Sequence, residues 1–397
     1  MTGLLPLPRV ATLTRIGNPE IDRGLVLWFP GPQSFTGEDC AEFQIHGGRA
    51  VVVALLAALG RLDNCRMAEA GEFSRRAFLN GKFDLTQAEG LADLIDSETE
   101  EQRKQALRQL DGALGVLARR WKDALLHAQA LIEADIDFSD EGDVGANHRQ
   151  IITDSVTKLL VELDDALTGY QRSQQIRQGI YVVIAGAPNV GKSSLLNALA
   201  KREVAIVTSV AGTTRDVVEV NLNIDGYLFI LVDTAGIRET NDVVEKIGVS
   251  KARQAIRAAD LVLWLSDGID LTVAETVDCP VFKVQTKLDL RPLQSARFDF
   301  GISVTMAGGL DELQSRLSDF LQSRDQFSGL VTRERHFEAL GCMRGILAGI
   351  LLRAESAQDE ILAEELRAAA FELGRLVGQY GVEDVLGQLF STFCIGK

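Results

Sequence analysis

The sequence lacks any apolar run long enough to cross a membrane, and its N-terminus has no signal-peptide pattern. Its cysteines are few, odd in number and without C-x-x-C spacing, which excludes a disulfide framework and argues against a zinc site. The five cysteines, which we expect to be reduced thiols, are Cys40, Cys65, Cys279, Cys342 and Cys394. Together these absences predict a cytoplasmic protein.

Positive charge is also in short supply. The 397 residues include 41 Lys and Arg against 56 Asp and Glu, a formal net charge of −15. This balance excludes a generic surface for polyanions, so contact with a nucleic acid would need a local basic patch. Hydrophobic residues make up 46% of the chain, which is enough for the cores of two or three domains.

A glycine-rich loop is the first of four ordered motifs. Gly186-Ala-Pro-Asn-Val-Gly191-Lys192-Ser193 follows an apolar run and precedes a helix-like segment, which is the context of a phosphate-binding loop. Its backbone N–H groups and the helix N-terminus favour phosphates, Lys192 would reach the outer phosphates, and the Ser193 hydroxyl would bind Mg²⁺. A glycine turn before an ordinary helix is the alternative for this motif alone. The candidate nucleotide contacts here are Asn189, Val190, Gly191, Lys192, Ser193 and Ser194.

Two further motifs supply groups for Mg²⁺ and the γ-phosphate. Thr214, in Gly212-Thr213-Thr214, is a candidate second Mg²⁺ ligand. Asp233-Thr234-Ala235-Gly236 closes an apolar strand. Asp233 would hold Mg²⁺ through water, and the Gly236 N–H would contact the γ-phosphate.

The fourth motif, Thr286-Lys287-Leu288-Asp289, closes another apolar strand. The Asp289 carboxylate can accept two N–H bonds from guanine, which adenine does not offer. Asparagine is usual where Thr286 stands, so we expect one weaker contact with the base. The four motifs in this order predict a GTP-binding domain.

The residue after the Asp-x-x-Gly motif is Ile237, where many GTPases have a glutamine that orients the attacking water. Glu239 and Glu245 are candidates for this role, and a solvent-facing position is the alternative for both. The Asn189 side chain could bind a monovalent cation beside the phosphates, in place of an arginine finger. A hydrogen bond that stabilises the loop is an equally good interpretation of Asn189.

Periodicity divides the chain into three domains. We predict a partial α+β domain at 1–80, an all-α helical domain at 81–178 and 327–397, and an α/β phosphate-loop domain at 179–326, inserted into the helical domain. The last would contain a doubly wound parallel sheet, with ligands at the carboxyl ends of its strands. Its predicted strands are Tyr181–Ala185, Val218–Ile224, Tyr227–Asp233, Asp260–Ser266, Val281–Gln285 and Phe300–Ser303. An acidic stretch at 135–143 is more typical of a solvated loop than of a calcium site.

Nearly the whole chain resembles the MnmE (also called TrmE) family of bacterial tRNA-modification GTPases. The segments that carry the resemblance are Ser34-Phe-Thr-Gly-Glu-Asp39, His46-Gly-Gly48, Gly71-Glu-Phe-Ser-Arg-Arg-Ala-Phe-Leu-Asn-Gly-Lys82, Asp84-Leu-Thr-Gln-Ala-Glu89, Ile136-Asp-Phe138 and the ending Cys394-Ile-Gly-Lys397. The terminal Cys-x-Gly-Lys is distinctive.

The resemblance implies an N-terminal domain that binds folate and dimerises, a helical domain and an inserted G domain. It implies a homodimer that acts with a flavoprotein partner, MnmG, on tRNA. The reaction would install a 5-carboxymethylaminomethyl-type group on the wobble uridine, with a methylene-tetrahydrofolate as the one-carbon donor. GTP hydrolysis would be activated when two G domains meet around K⁺.

The resemblance also assigns roles to single residues. Mg²⁺ would bind at Ser193 and Thr214, and Glu245 would position the attacking water. Folate would contact Glu42 and Lys82, with Lys397 nearby. Cys394 matches a functionally required cysteine. The implied potassium ligands are Asn189, Thr208, Val210 and Thr213.

The chain departs from the family pattern at its start, which lies near Leu5-Pro-Leu-Pro-Arg9. We therefore expect either a wrongly recorded start or an N-terminal domain that lacks about forty residues, with exposed sheet edges. Two alternatives remain for the function. One is an Era-like ribosome-assembly or signalling GTPase, which would leave the flanking segments unexplained. The other is a folate-scaffold protein that has lost its function.

Overall fold

The structure is a computed structural model that describes residues 1–3, 5–137, 145–202, 204–206, 219–233, 254–269, 277–322, 329–381 and 383–393. Its strands are β1 (Thr12–Ile16), β2 (Asp22–Phe29), β3 (Cys40–Gln44), β4 (Ile180–Gly186), β5 (Glu219–Ile224), β6 (Tyr227–Asp233), β7 (Leu261–Ser266), β8 (Val281–Gln285) and β9 (Phe300–Gly301). Its helices are α1 (Arg49–Leu59), α2 (Glu72–Leu79), α3 (Leu85–Ile95), α4 (Glu100–Leu110), α5 (Ala113–Asp137), α6 (Gly145–Thr168), α7 (Tyr170–Gln178), α8 (Lys192–Leu199), α9 (Asp311–Gln322), α10 (Glu334–Arg353), α11 (Asp359–Val377) and α12 (Glu383–Ser391).

The chain forms two compact units. The first comprises Met1–Ile95, Leu107–Asp164 and Arg335–Lys397. The second comprises Asp96–Ala106 and Asp165–Glu334. No helix in the described ranges has the length and apolar character needed to span a membrane.

An antiparallel three-stranded sheet begins the first unit, in the order β1-β2-β3. Ile16, Val26 and Leu55 form its small core, in which helix α1 covers one face of the sheet. The sequence predicts strands at Gly24–Phe29 and Cys40–Ile45 and a helix at about Arg49–Leu59, and β2, β3 and α1 confirm these predictions. Strand β1 was not predicted, because the polar residues Thr12, Thr14 and Arg15 hide its pattern.

Helices make up the rest of the first unit, as predicted. On α5 the buried residues recur at intervals of four and three, which produces one apolar stripe along the helix. These residues are Leu114, Ala118, Trp121, Leu125, Ala128 and Ile132. The stripe packs against α11.

The acidic stretch at 135–143 is described only in part. Asp135 Oδ1 lies 2.6 Å from His148 Nδ1, and residues 138–144 lie outside the described residues.

A six-stranded sheet forms the centre of the second unit, in the order β5-β6-β4-β7-β8-β9. Strand β4 is buried on both faces, as a central parallel strand should be. Val182 and Ile184 belong to a core that includes helices α8 and α9. Val183 and Ala185 belong to a second core that includes the helical stretch 254–258. Helices therefore cover both faces of the sheet.

The prediction of a wholly parallel sheet is wrong at its edge, because β5 pairs antiparallel with β6. Only Asp225 and Gly226 connect these two strands, and so short a connection can join only antiparallel neighbours. Both residues have positive φ, 51° and 85°, as the type I′ hairpin turn requires. The remaining neighbours in this sheet are parallel.

The predicted bounds are confirmed for β6 and β8. Strand β4 is one residue longer at each end, β7 begins one residue later, and the predicted start of β5 at Val218 lies outside the described residues. Strand β9 ends at Gly301, where Ser303 was predicted. The backbone N–H of Ser303 instead donates to the Gly309 carbonyl at 3.0 Å, and this bond draws the chain into a turn.

Candidate nucleotide-binding site

Three of the four predicted nucleotide motifs begin at one edge of the six-stranded sheet, and the motif at 212–214 lies outside the described residues. Strands β4, β6, β7 and β8 run parallel, so their carboxyl ends meet at the same edge. Strand β4 leads into the glycine-rich loop, β6 ends at Asp233, and β8 leads into the segment from Thr286 to Asp289. This is the edge at which open α/β sheets bind ligands.

The glycine-rich loop makes a tight turn before helix α8. A Cβ atom on Gly186 would lie 2.3 Å from the Leu265 carbonyl oxygen, so only glycine fits there. Gly191 has a φ of 103° and caps the N-terminus of α8. The buried Lys192 ammonium donates to the carbonyls of Gly186 at 3.0 Å and Ala187 at 2.9 Å. The loop thus encircles a fixed positive charge at a helix N-terminus, which favours phosphates.

Ser193 lies next to Asp233. The Ser193 hydroxyl donates to Asp233 Oδ2 at 2.8 Å, and Asp233 is 1% exposed. A hydroxyl and a carboxylate that face one another supply the oxygen donors that Mg²⁺ prefers. The structure therefore brings together the two Mg²⁺ candidates that lie in its described part.

The base-recognition segment and the glycine-rich loop are joined by side chains. The buried Thr286 hydroxyl donates to the Val190 carbonyl at 2.7 Å and lies 3.3 Å from the Ser266 carbonyl. The Lys287 ammonium donates to the Asn189 carbonyl at 3.0 Å. Thr286 thus acts on the conformation of the phosphate loop, a role that the sequence did not reveal.

The Asp289 carboxylate is exposed at the sheet edge and is held by a residue that sequence reasoning missed. The Ser303 hydroxyl donates to Asp289 Oδ1 at 2.7 Å. This hydrogen bond is the main reason why the pKa of Asp289 lies below its usual range. The sequence position of Ser303 could have indicated this contact. Ser303 follows β9, the next parallel strand, and therefore lies at the same edge of the sheet as Asp289.

Asn189 has a φ of 62°, which asparagine tolerates better than most residues. Its main-chain carbonyl contacts Lys287, whereas its exposed side-chain amide makes no hydrogen bond within the described ranges. The alternative interpretation of Asn189, a side-chain hydrogen bond that stabilises the loop, therefore finds no partner among the described residues. The amide oxygen is accessible to a cation.

The two candidate folate contacts belong to the first unit. Glu42 lies on β3, and its exposed carboxylate has no hydrogen-bond or ion-pair partner among the described residues. The Lys82 ammonium donates to the Pro32 carbonyl at 2.9 Å. No hydrogen bond joins Glu42 and Lys82 in this part of the structure.

Cys40, Cys65, Cys279 and Cys342 form no disulfide in the described part of the structure. Several predicted site residues lie outside the described part of the chain. They are Thr208, Val210, Thr213, Thr214, Thr234, Ala235, Gly236, Ile237, Glu239, Glu245, Cys394 and Lys397.

Comparison with known proteins gives two family matches. The MnmE helical domain family matches residues 85–394, and the family of the GTP-binding protein TrmE N-terminus matches residues 4–82. The tRNA modification GTPase MnmE of Beijerinckia indica subsp. indica is 48% identical over 405 residues, which cover 100% of this chain and 89% of that protein. The tRNA modification GTPase MnmE of Bradyrhizobium sp. (strain ORS 278) is 48% identical over 411 residues, which cover 100% of this chain and 92% of that protein.

Among solved structures, an Aquifex aeolicus Era variant bound to GDP and AlF4⁻ is 27% identical. The match covers 42% of this chain and 66% of that chain, with a TM-score of 0.29. So low a TM-score fixes neither the fold nor the function of this chain.

Proposed function

Because the chain belongs to the MnmE family of tRNA modification GTPases, we propose that its GTP hydrolysis drives one specific reaction on tRNA. That reaction is a 5-carboxymethylaminomethyl-type modification of the wobble uridine. The chain would act in the cytoplasm as a homodimer, together with the flavoprotein MnmG.

One observation carries the nucleotide half of this proposal. Lys192, the Ser193–Asp233 pair and Asp289 all lie at the carboxyl edge of one sheet. These groups match, in order, the outer phosphates, the metal ion and the guanine edge of GTP. An ATP-binding site would have no use for a fixed carboxylate at the base position.

Mg²⁺ fits the Ser193 hydroxyl and the Asp233 carboxylate, which are 2.8 Å apart. When bound there, the ion would neutralise charge on the β- and γ-phosphates. Thr214 would complete its ligands. The segment after Asp233, which is Thr234, Ala235 and Gly236, would contact the γ-phosphate.

K⁺ fits the accessible amide oxygen of Asn189. When bound, it would supply the positive charge that an arginine finger brings in other GTPases. Thr208, Val210 and Thr213 would complete the potassium site, and pairing of two G domains would close it. Glu245 would orient the attacking water, since Ile237 has no polar group.

A tetrahydrofolate derivative would bind the N-terminal domain, at residues 1–80. The Glu42 carboxylate, which has no partner among the described residues, can accept N–H bonds from a pterin, and Lys82 can pair with a carboxylate of the ligand. Lys397 would lie near this site, and Cys394 would serve the modification reaction. The G domain, residues 179–326, would act on the helical domain at 81–178 and 327–397, into which it is inserted.

Nucleoside analysis tests this function against an Era-like switch without modification chemistry. The gene is deleted from its bacterial host, and the strain is complemented with the wild type or with Ser193→Ala. Mass analysis of total tRNA should show loss of the modified wobble uridine in the deletion strain, rescue by the wild type and no rescue by Ser193→Ala. An unchanged nucleoside profile in the deletion strain would favour the switch.

A further inference from the structure

A groove of about 500 Å³ lies between helices α2 and α12 in the first unit. Its floor is apolar and includes Leu386 and Phe390, which are buried against helix α3. Three arginines line its walls, Arg66, Arg75 and Arg76. None of the described nucleotide-site residues lines this groove, and neither Glu42 nor Lys82 does.

Glu72 holds two of these guanidinium groups in place. Arg66 donates to both oxygens of the Glu72 carboxylate, at 2.8 and 2.9 Å, and Arg76 donates to Oε1 at 2.6 Å. The Glu69 backbone N–H and these two arginines lower the pKa of Glu72 to about 2, so the carboxylate stays charged at neutral pH. The side chains of Arg66 and Arg76 are 61% and 46% exposed, which leaves part of each guanidinium accessible.

Arg75 differs from its two neighbours. It is exposed on α2 and has no hydrogen-bond or ion-pair partner among the described residues. The groove residues also include the carboxylates of Glu69 and Glu72, and Arg76 pairs in addition with Glu38 at 3.1 Å. These carboxylates balance the charge of the three guanidinium groups, but none of them is paired with Arg75 in the described residues. Arg75 is therefore the guanidinium most available to an incoming anion.

We propose that this groove is a binding site for the phosphodiester backbone of tRNA. The proposal rests on the proposed function, in which tRNA is the substrate. A chain with a net charge of −15 needs locally exposed cations to hold RNA, and the groove presents Arg75, unpaired among the described residues, beside the partly exposed guanidinium groups of Arg66 and Arg76. Guanidinium groups match phosphate geometry with paired N–H donors, and an apolar floor strengthens such contacts. The groove helix α12 ends at Ser391, three residues before Cys394, the cysteine to which we assign a role in the modification reaction.

The test compares Arg75→Gln with Arg61→Gln in the full chain. Arg61 is a matched control, because it is also exposed, belongs to the first unit and has no side-chain partner among the described residues, but does not line the groove. Binding of fluorescently labelled tRNA is measured by anisotropy between low and moderate salt. Arg75→Gln should weaken binding roughly fivefold and reduce the slope of log K against log salt by about 1, as loss of one phosphate contact requires. Arg61→Gln should leave both quantities within about twofold of the wild type.

Equal effects of the two substitutions, or an unchanged salt slope for Arg75→Gln, would overturn the groove assignment. Such a result leaves the proposed function standing as long as the wild type binds tRNA and the deletion strain loses the modified uridine. GTP turnover checks folding, and both variants should retain the wild-type rate without tRNA. Arg66→Gln and Arg76→Gln are unsuitable, because either would leave the Glu72 carboxylate short of a partner.

Discussion

The Ser303 hydroxyl donates to Asp289 Oδ1 at 2.7 Å. It thereby fixes, at the edge of the sheet, the carboxylate that we propose reads guanine. Ser303 is 2% exposed, so it can hold this position without competition from solvent. In this proposal, base recognition depends on the buried hydroxyl of Ser303 as well as on the Asp289 carboxylate.

Substitution Ser303→Ala should weaken GDP binding roughly fivefold, since it removes one hydrogen bond to a charged group and frees the carboxylate to rotate. Affinity for a fluorescent GDP analogue measures the effect. Ser318→Ala is a suitable control, because Ser318 donates to Asp225 at the far end of β6 and should leave affinity unchanged. A Ser303→Ala protein with wild-type affinity would contradict this role.

The pH dependence of binding gives a second check on Ser303. Asp289 has a lowered pKa, so it remains ionised, and able to accept N–H bonds, at pH values below its usual titration range. Affinity for GDP should therefore be lost only as the pH falls through the lowered pKa that Asp289 has in the folded protein. In Ser303→Ala the pKa should rise and the acid loss of GDP affinity should move to higher pH. If the wild type and Ser303→Ala lose GDP affinity over the same acidic pH range, the role assigned to Ser303 is wrong.

Thr286 is predicted to stabilise the phosphate loop by its hydroxyl alone. Thr286→Val keeps the shape but leaves the Val190 carbonyl without its donor, so GDP affinity should fall roughly tenfold. Thr286→Ser keeps the hydroxyl and should remain within about twofold of the wild type. Equal losses in both variants would mean that the methyl group matters, and not the hydrogen bond.

Glu89 should be essential to the stability of the first unit. Its carboxylate is 2% exposed, accepts two hydrogen bonds of 2.7 Å from Arg335, and lies 2.7 Å from His336 Nε2. Glu89→Gln should cost about 3 kcal/mol of unfolding free energy, because it breaks a buried ion pair. Urea unfolding measures the change. Glu133→Gln, at an exposed pair with Arg367, should have a much smaller effect.

Acid should weaken the same cluster. Burial alone would raise the pKa of Glu89, but His336 and Arg335 outweigh it and hold the pKa well below the ordinary 4.5. The stabilising contribution is therefore complete above that ordinary value and is lost as the pH falls toward the lowered one. The difference in unfolding free energy between wild type and Glu89→Gln should shrink on acidification below pH 4.5. A constant difference would argue against an ionised Glu89.

The sequence predicts the parts of the site that depend on motif order and strand ends. Gly186, Asp233 and Asp289 were placed correctly, because parallel strands bring their carboxyl ends together. The antiparallel pairing of β5 with β6 could also have been predicted, since Asp225-Gly226 is typical of a two-residue hairpin turn. The expectation of alternating strands and helices led instead to the prediction of a parallel sheet. Local turn chemistry decided the pairing.

The contacts of Ser303 and Thr286 were not predictable in the same way. Ser303 lies 14 residues beyond Asp289, and Thr286 lies 96 residues beyond Val190. Each contact needs the register of separate strands, which no local pattern specifies. Strand β1 was missed for a different reason, because Thr12 and Thr14 on its inward face are polar, whereas the apolar Leu13 faces solvent.

Potassium dependence tests the central claim most directly. GTP turnover is measured in KCl and in NaCl at equal ionic strength, for the wild type and for Asn189→Ala. The wild type should turn over GTP at least about tenfold faster in K⁺, as a charge placed beside the phosphates requires, and Asn189→Ala should lose that difference while it still binds GDP. Equal rates of the wild type in the two salts would contradict the account.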